Sequence, residues 1–251
     1  MDGFNAFNGS EVNISGGTVS DIFDAESGST VNISGGTVGF GFFFANSGSE
    51  VNISGGTVSG KLGAFSGSVV NISGGTVSGR LDAESGSEVN ISGGTVSGRL
   101  DANSGSEVNI SGGTVDDVFD AESGSMVNLM GTEFLLDGVL LDSLVAGEAF
   151  TINDRDVTLS GLLADGTPFE FDLNSTTNFF EDSFAPDATL TVTLSGALLG
   201  DVNKDGVVDF LDISPFISLL STGEFQDEAD FDSSGTVDFL DISPFIVLLS
   251  S

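Results

Sequence analysis

The feature that most restricts the fold is a short repeat in the first half of the chain. The string Val-Asn-Ile-Ser-Gly-Gly-Thr-Val occurs six times, and its copies begin at Val12, Val31, Val51, Val70, Val89 and Val108. A degenerate seventh copy begins at Val127. The copies follow a 19-residue period, and only the interval between Val31 and Val51 is longer, by a single residue. A fixed period of this length is typical of solenoids, in which each repeat forms one coil.

Apolar and polar residues alternate within each repeat. In the copy that starts at Val89, polar residues separate the apolar residues Val89, Ile91, Val96, Leu100 and Ala102. This alternation predicts short half-buried strands, and the Gly-Gly and Ser-Gly-Ser segments predict turns. Because such short strands cannot bury a core alone, we expect coils stacked about 4.8 Å apart. Residues 1–130 are therefore predicted to form an all-β parallel β-helix with three short faces per coil, which resembles extracellular, adhesin-like solenoids.

Stacked coils also align identical polar residues into columns. Side-chain amides at strand spacing can bond one another, so the column of asparagines predicts a hydrogen-bonded ladder, with a ligand-binding face as the alternative. Its members are Asn13, Asn32, Asn52, Asn71, Asn90, Asn109 and Asn128. Another column contains Asp82, Asp101 and Asp120. Since like charges on adjacent coils repel, we expect this acidic column to be a solvated surface that salt screens.

The repeat is lost in residues 131–198, but strand patterns continue. Alternation recurs at residues 150–152, 157–159, 169–171 and 190–194, and Asp165-Gly166 is typical of a hairpin turn. Because bare strand edges promote aggregation, we predict one or two degenerate coils followed by a capping β-structure. The chain begins inside a coil and has no basic, apolar leader, so we expect a signal peptide to be missing upstream.

Charge and composition exclude several classes of partner. The chain has 38 acidic and 5 basic residues, for a formal net charge of −33. This charge disfavours nucleic acids and anionic membranes, which bind through Lys and Arg. No apolar run is long enough to span a membrane. The sequence has no Cys and no His, whereas oxygen donors that suit calcium are abundant.

Two C-terminal segments have the spacing of a twelve-residue calcium loop, with oxygen donors at positions 1, 3, 5, 7, 9 and 12. The donors predicted in the first loop are Asp201, Asn203, Asp205, the backbone carbonyl of Val207, Asp209 and Asp212, with Gly206 at the sharp turn. The second loop supplies Asp230, Asp232, Ser234, Thr236, Asp238 and Asp241. We predict two Ca²⁺ ions, and the second site is expected to be weaker because Ser234 replaces the usual Asp or Asn at position 5.

Each loop is followed by Ile-Ser-Pro-Phe-Ile and a Leu-Leu pair. Proline is tolerated in a first helical turn, so a short helix is expected after each loop. Two calcium loops with Asp at position 12, each leading into one helix, resemble the dockerin type I family over roughly Leu199 to Ser250. The resemblance implies that residues 199–251 form a small α-helical domain whose partner is a cohesin-like module. Positions 10 and 11 contribute to recognition in that family and are often hydroxyl or small residues, whereas here they are Phe210-Leu211 and Phe239-Leu240.

The uniform coils show no pair of carboxylates set apart from the others, as glycoside hydrolysis requires. We therefore expect a secreted or cell-surface protein that is not an enzyme and serves as a structural or adhesive scaffold. Residues 199–251 would attach it, and a polysaccharide or surface ligand is a further expected partner. The alternative is a fragment of a carbohydrate-active β-helix protein, a glycosyl hydrolase or lyase, with its catalytic part upstream of Met1.

Overall fold

The computed structural model of the chain describes residues 3–39, 41–145, 147–176, 180–195, 200, 202–203, 208, 210–232 and 234–249. The chain folds into two compact units, Met1–Leu194 and Ser195–Ser251. We call the first the solenoid unit and the second the C-terminal unit. Within the described residues, no helix has the length and apolar character needed to cross a membrane.

Short and long strands alternate along the repeats of the solenoid unit. They are β1 (Phe4–Ala6), β2 (Glu11–Val19), β3 (Phe23–Ala25), β4 (Thr30–Val38), β5 (Phe42–Ala45), β6 (Glu50–Val58), β7 (Lys61–Ala64), β8 (Val69–Val77), β9 (Leu81–Ala83), β10 (Glu88–Val96), β11 (Leu100–Ala102), β12 (Glu107–Val115) and β13 (Phe119–Ala121). Short strands pair in parallel with short strands, and long strands with long strands, which gives two sheets. The predicted parallel β-solenoid of 19-residue coils is confirmed.

Apolar residues at the same repeat position form continuous buried columns. In the short strands, Phe23 is in register with Phe43, then Leu62, Leu81, Leu100 and Phe119, and all six side chains are fully buried. The long strands contribute columns of Val and Ile in the same way. Each coil therefore buries its apolar face against the coils before and after it, as the alternation predicts.

The Gly-Gly pair forms a corner inside each long strand. The ladder between β8 and β10 is interrupted there, and Gly94 has a φ of +76°, which is in the left-handed region. A Cβ on Gly94 would lie only 2.7 Å from the carbonyl carbon of Gly74 in the preceding coil. Close stacking and positive φ together require glycine at this corner. The sequence predicts three faces per coil, and two of them are formed by a single long strand that bends at the corner.

The predicted asparagine ladder is also confirmed. Each amide donates to the amide oxygen of the preceding coil, with Nδ2–Oδ1 distances of 2.7–3.0 Å from Asn32 to Asn128. Several amides also donate to a neighbouring glutamate, as Asn90 does to Glu88 at 2.9 Å. The hydroxyl of Thr191 donates to Asn128 Oδ1 at 2.7 Å and continues the column by one coil.

The prediction that the acidic column forms a solvated surface is wrong. Asp82, Asp101 and Asp120 are buried, with at most 3% of each residue exposed. Cations in the same sheet bridge successive coils: Lys61 pairs with Asp82, Arg80 with Asp82 and Asp101, and Arg99 with Asp101 and Asp120. The like charges of one column are thus neutralised by the adjacent column, and we call these six residues the ionic column.

Burial shapes the electrostatics of the ionic column. Loss of hydration raises the pKa of Asp101, although the hydrogen bond from Arg99 and the charge of Arg80 act in the opposite direction. Burial lowers the pKa of Arg80, but the carboxylates of Asp101 and Asp82 outweigh it and leave that pKa raised. The column ends at the hydroxyl of Ser183, which donates to Asp120.

The end of the solenoid unit contains both an antiparallel structure and one further coil. Its strands are β14 (Met126–Leu136), β15 (Val139–Leu140), β16 (Ala149–Thr151), β17 (Thr158–Leu163), β18 (Pro168–Asp172), β19 (Ser183–Phe184) and β20 (Thr189–Leu194). The hairpin expected at Asp165-Gly166 joins β17 to β18. The last coil-like strands, β19 and β20, come after the antiparallel part, whereas the sequence suggested the opposite order.

The change at β14 has a local cause. In the seventh repeat the second corner glycine is replaced by Thr132, so the strand continues to Leu136 and pairs with β17. Asp165, in the hairpin turn, then accepts a hydrogen bond from Gly113 N at 2.8 Å, at the corner of the sixth repeat. Arg155 donates to carbonyl oxygens of Phe184 and Ala188 at 3.0 and 2.8 Å, and this holds the last coil in place.

The C-terminal unit has two α-helices, α1 (Ile213–Thr222) and α2 (Ile242–Leu249). Short 3-10 helices precede α1 at Phe210–Asp212 and lie between the helices at Asp227–Ala229. The rings of Phe216 and Phe245 meet at the centre with centroids 4.4 Å apart. They form a small core with Val202, Ala229 and Val237. The expected helix after each loop is present.

Candidate calcium-binding and docking site

The second predicted loop brings three carboxylates together. Oxygen atoms of Asp230, Asp232 and Asp241 all lie within 4.8 Å of one another. Asp230 and Asp241 are buried, and Asp232 is exposed. In the described part of the chain, no Lys or Arg forms an ion pair with these three carboxylates. Like charges held this close favour the binding of a cation between them.

Asp241 ties the end of the loop to its beginning. Its Oδ1 accepts hydrogen bonds from the backbone N–H of Phe231 at 2.7 Å and of Asp232 at 3.2 Å. Its Oδ2 accepts from the N–H of Asp238 at 2.8 Å. These three bonds curve the backbone around the carboxylate cluster, and α2 starts at the next residue. Sequence reasoning assigned Asp241 only as a ligand, so this second role is new.

The first half of the loop is shaped by Asp230. Its two oxygens accept hydrogen bonds from Ser234 N at 3.0 Å and from Gly235 N at 2.8 Å. Gly235 has a φ of +81°, as the sharp turn at position 6 of a calcium loop requires. The hydroxyl of Ser234 lies 3.2 Å from the carbonyl oxygen of Thr236, so the donors expected at positions 5 and 7 are also neighbours.

Asp238 does not belong to the three-carboxylate cluster. Its Oδ1 accepts a hydrogen bond from Leu240 N at 2.7 Å. Position 9 of a calcium loop often reaches the ion through a water molecule, so this placement agrees with an indirect role.

The first loop is described only in part. Asp201, Asp205, Val207 and Asp209 lie outside the described residues, as does Gly206. Asp212 is fully buried, and its Oδ1 accepts a hydrogen bond from Asn203 N at 2.9 Å. The equivalent pair in the second loop, Asp232 and Asp241, makes the same contact. The two loops therefore share one way of closing.

The donor set of the second loop fits calcium. It offers carboxylate, hydroxyl and carbonyl oxygens without nitrogen or sulfur, and hard cations prefer such donors. Asp230, Asp232 and Asp241 would hold the ion, with Ser234 and Thr236 beside them. A bound Ca²⁺ would neutralise the buried carboxylates and fix the start of α2.

Large apolar side chains are exposed near the end of each loop. They are Phe210 and Leu211 before α1, and Phe239 and Leu240 before α2. These are the residues at positions 10 and 11, where the sequence departs from the dockerin pattern.

Comparison with known families identifies this unit. Residues 199–249 match the family model for the dockerin type I domain. No curated protein and no solved structure matches the chain significantly. Dockerin domains in general bind calcium, attach their proteins to cohesin modules and occur in extracellular proteins. The chain therefore carries a dockerin type I domain at residues 199–249.

Proposed function

We propose that this chain is a secreted, non-catalytic scaffold or adhesive protein that its dockerin domain attaches to a cohesin-bearing partner. The observation that carries the proposal is the dockerin domain itself, with its carboxylate cluster at Asp230, Asp232 and Asp241. The dockerin domain would then attach the solenoid unit to a cell surface or to a larger extracellular assembly.

The bonding of the solenoid's polar groups supports a structural role. The asparagine amides bond one another and neighbouring glutamates, so few of their donors remain for a ligand. The aspartates of the ionic column are buried between cations. Groups used in this way stabilise the stacking of coils.

Calcium would act as the structural element of the attachment module. We propose two ions, one in each loop, with the second site weaker because the hydroxyl of Ser234 replaces the Asp or Asn usual at position 5. Because the core of the C-terminal unit is small, metal binding would be coupled to folding of α1 and α2. Such a module would be stable only where free calcium is plentiful, as outside cells.

The proposal is tested by capture and by activity. The full chain, immobilised with calcium present, should bind at least one member of an array of purified cohesin modules and release it when EDTA is added. The same preparation should leave neutral and acidic polysaccharides uncleaved over long incubation. Failure to bind any cohesin would contradict attachment, and polysaccharide cleavage would contradict a non-catalytic role.

A further inference from the structure

Two matching sets of apolar side chains are exposed on the C-terminal unit. In the first set, Phe210 is 75% exposed and Leu211 is 66% exposed. In the second, Phe239 is 82% exposed and Leu240 is 68% exposed. Each set is completed by the isoleucine seven residues after the phenylalanine, Ile217 in α1 and Ile246 in α2, and both are exposed. We call these residues the first and second apolar sets.

The two sets are equivalent in sequence and in placement. Residues 210–217 and 239–246 are both Phe-Leu-Asp-Ile-Ser-Pro-Phe-Ile. In each copy the second phenylalanine, Phe216 or Phe245, is buried in the core, whereas the first is exposed. Burial of one phenylalanine and exposure of the other recur in both halves, so the exposure follows from the fold of the repeat. Large apolar groups exposed in this repeated way mark a contact surface.

The chemistry of these residues restricts what they can recognise. Phe and Leu side chains offer no hydrogen-bond donor or acceptor, so they discriminate by shape and by burial of apolar surface. A partner whose contact face presents charged or hydroxyl groups would lose hydration there without gaining a hydrogen bond. The matching face must therefore be apolar where it meets either set.

Charge restricts the surroundings of that face. Residues 195–251 contain many Asp and Glu but a single basic residue, Lys204. A partner with basic residues around its apolar centre would complement this acidic unit. A second copy of the chain is disfavoured as occupant, because each copy carries a formal charge of −33.

We propose that the partner of this domain is a cohesin-type module whose docking face is apolar at its centre and basic at its rim. The apolar sets are the residues that select it, and cohesins with polar docking faces are rejected. This inference rests on the proposed attachment to a cohesin and adds the surface chemistry of the partner.

The test uses the full chain with calcium against purified cohesin modules grouped by the composition of their docking faces. The wild-type chain should bind the modules with apolar faces and basic rims, with a negative heat-capacity change because apolar surface is buried. The variant Phe210→Ser, Leu211→Ser, Phe239→Ser and Leu240→Ser should bind the same modules at least about 100-fold more weakly. The variant Phe42→Ser, which removes an exposed phenylalanine of the solenoid, is the matched control and should bind like the wild type.

The outcomes separate the inference from the proposed function. Far-UV circular dichroism and calcium titration establish that the four exposed substitutions leave the domain folded. If the wild type binds a cohesin but the quadruple variant binds equally well, or if polar-faced modules bind best, the inference is overturned and attachment stands. If the wild type binds no cohesin in calcium, attachment and the inference both fail.

Discussion

The backbone N–H of Phe231 donates a 2.7 Å hydrogen bond to Oδ1 of Asp241, which lies ten residues further along the chain. One carboxylate thus closes the second loop, belongs to the three-carboxylate cluster and directly precedes α2. Asp212 holds the same place in the first loop and accepts from Asn203 N. Loop closure and the start of a helix involve the same side chain in both halves, and the proposed calcium ligation would use it as well.

Substitution of Asp241 by Asn should weaken calcium binding more than loop closure. The amide oxygen can still accept hydrogen bonds from the N–H groups of Phe231 and Asp232, whereas the bond from Asp238 N–H and the negative charge are lost. We expect affinity for one of the ions to fall by about 10–100-fold, measured by isothermal titration calorimetry of the full chain. Asp238→Asn, outside the carboxylate cluster, is the control and should have a smaller effect. Equal losses in the two variants would contradict the placement of Asp241.

Removal of Arg99 should lower the stability of the solenoid, because a buried carboxylate loses its cationic partner. Among the described residues, Arg99→Leu leaves Asp120 without a cation and Asp101 with Arg80 alone. We expect the free energy of unfolding to fall by about 3 kcal/mol, since a buried carboxylate loses its partner. Urea denaturation of the solenoid transition measures this change.

Lys61→Met provides the matched control for Arg99→Leu. Lys61 is partly exposed, and its partner Asp82 keeps Arg80. The loss should therefore stay below about 1 kcal/mol. If both substitutions have equally small effects, the column contributes only surface charge.

The corner glycines should differ sharply from a glycine in an open turn. Gly94→Ala places a methyl group 2.7 Å from the backbone of Gly74, in addition to the strain of its positive φ. Gly138 has a similar φ of +74° but no atom within 4 Å of the added Cβ. We expect Gly138→Ala to cost about 1 kcal/mol of unfolding free energy and Gly94→Ala about 3 kcal/mol or more. Similar costs, in the same denaturation experiment, would argue against tight stacking at the corner.

Asp182 should make the stability of the solenoid depend on pH. Burial raises the pKa of this carboxyl, although the N–H groups of Phe119 and Asp172 donate to it. A raised folded-state pKa means that the folded chain binds the proton more tightly than the unfolded chain. Stability is therefore highest below the unfolded pKa of about 3.9 and is lost as pH rises through the folded pKa.

Comparison with Asp182→Asn isolates this effect from the repulsion among the other acidic groups. The stability advantage of the wild type over the variant should be larger at about pH 3, below the unfolded pKa, than at about pH 7. Urea midpoints at both pH values measure it. A larger advantage at the higher pH would show that the hydrogen bonds outweigh burial.

Much of the fold follows from patterns in the sequence. The coil, the asparagine ladder and the Asp165-Gly166 hairpin depend on period, stacking and turn chemistry, all of which are visible in the sequence. The ionic column does not follow from the pattern of aspartates such as Asp82 and Asp101, because like charges in one column predict repulsion and solvent exposure. Their partners, Arg80 and Arg99, lie two residues earlier in each coil, and the pairing depends on register between columns.

The candidate site shows the same division. Spacing alone located the carboxylates of Asp230, Asp232 and Asp241, because the twelve-residue loop fixes which side chains converge. Spacing does not reveal that Phe239 is exposed while Phe245 is buried, since that depends on how the two helices pack.

The most direct test of the account is calcium-dependent capture of a cohesin by the full chain, compared with the double variant Asp212→Asn and Asp241→Asn. We predict that the wild type binds in calcium, is released by EDTA and binds again when calcium returns, whereas the double variant fails to bind at the same calcium concentration. Binding that persists in EDTA, or that the double variant retains in full, would contradict a calcium-built attachment module.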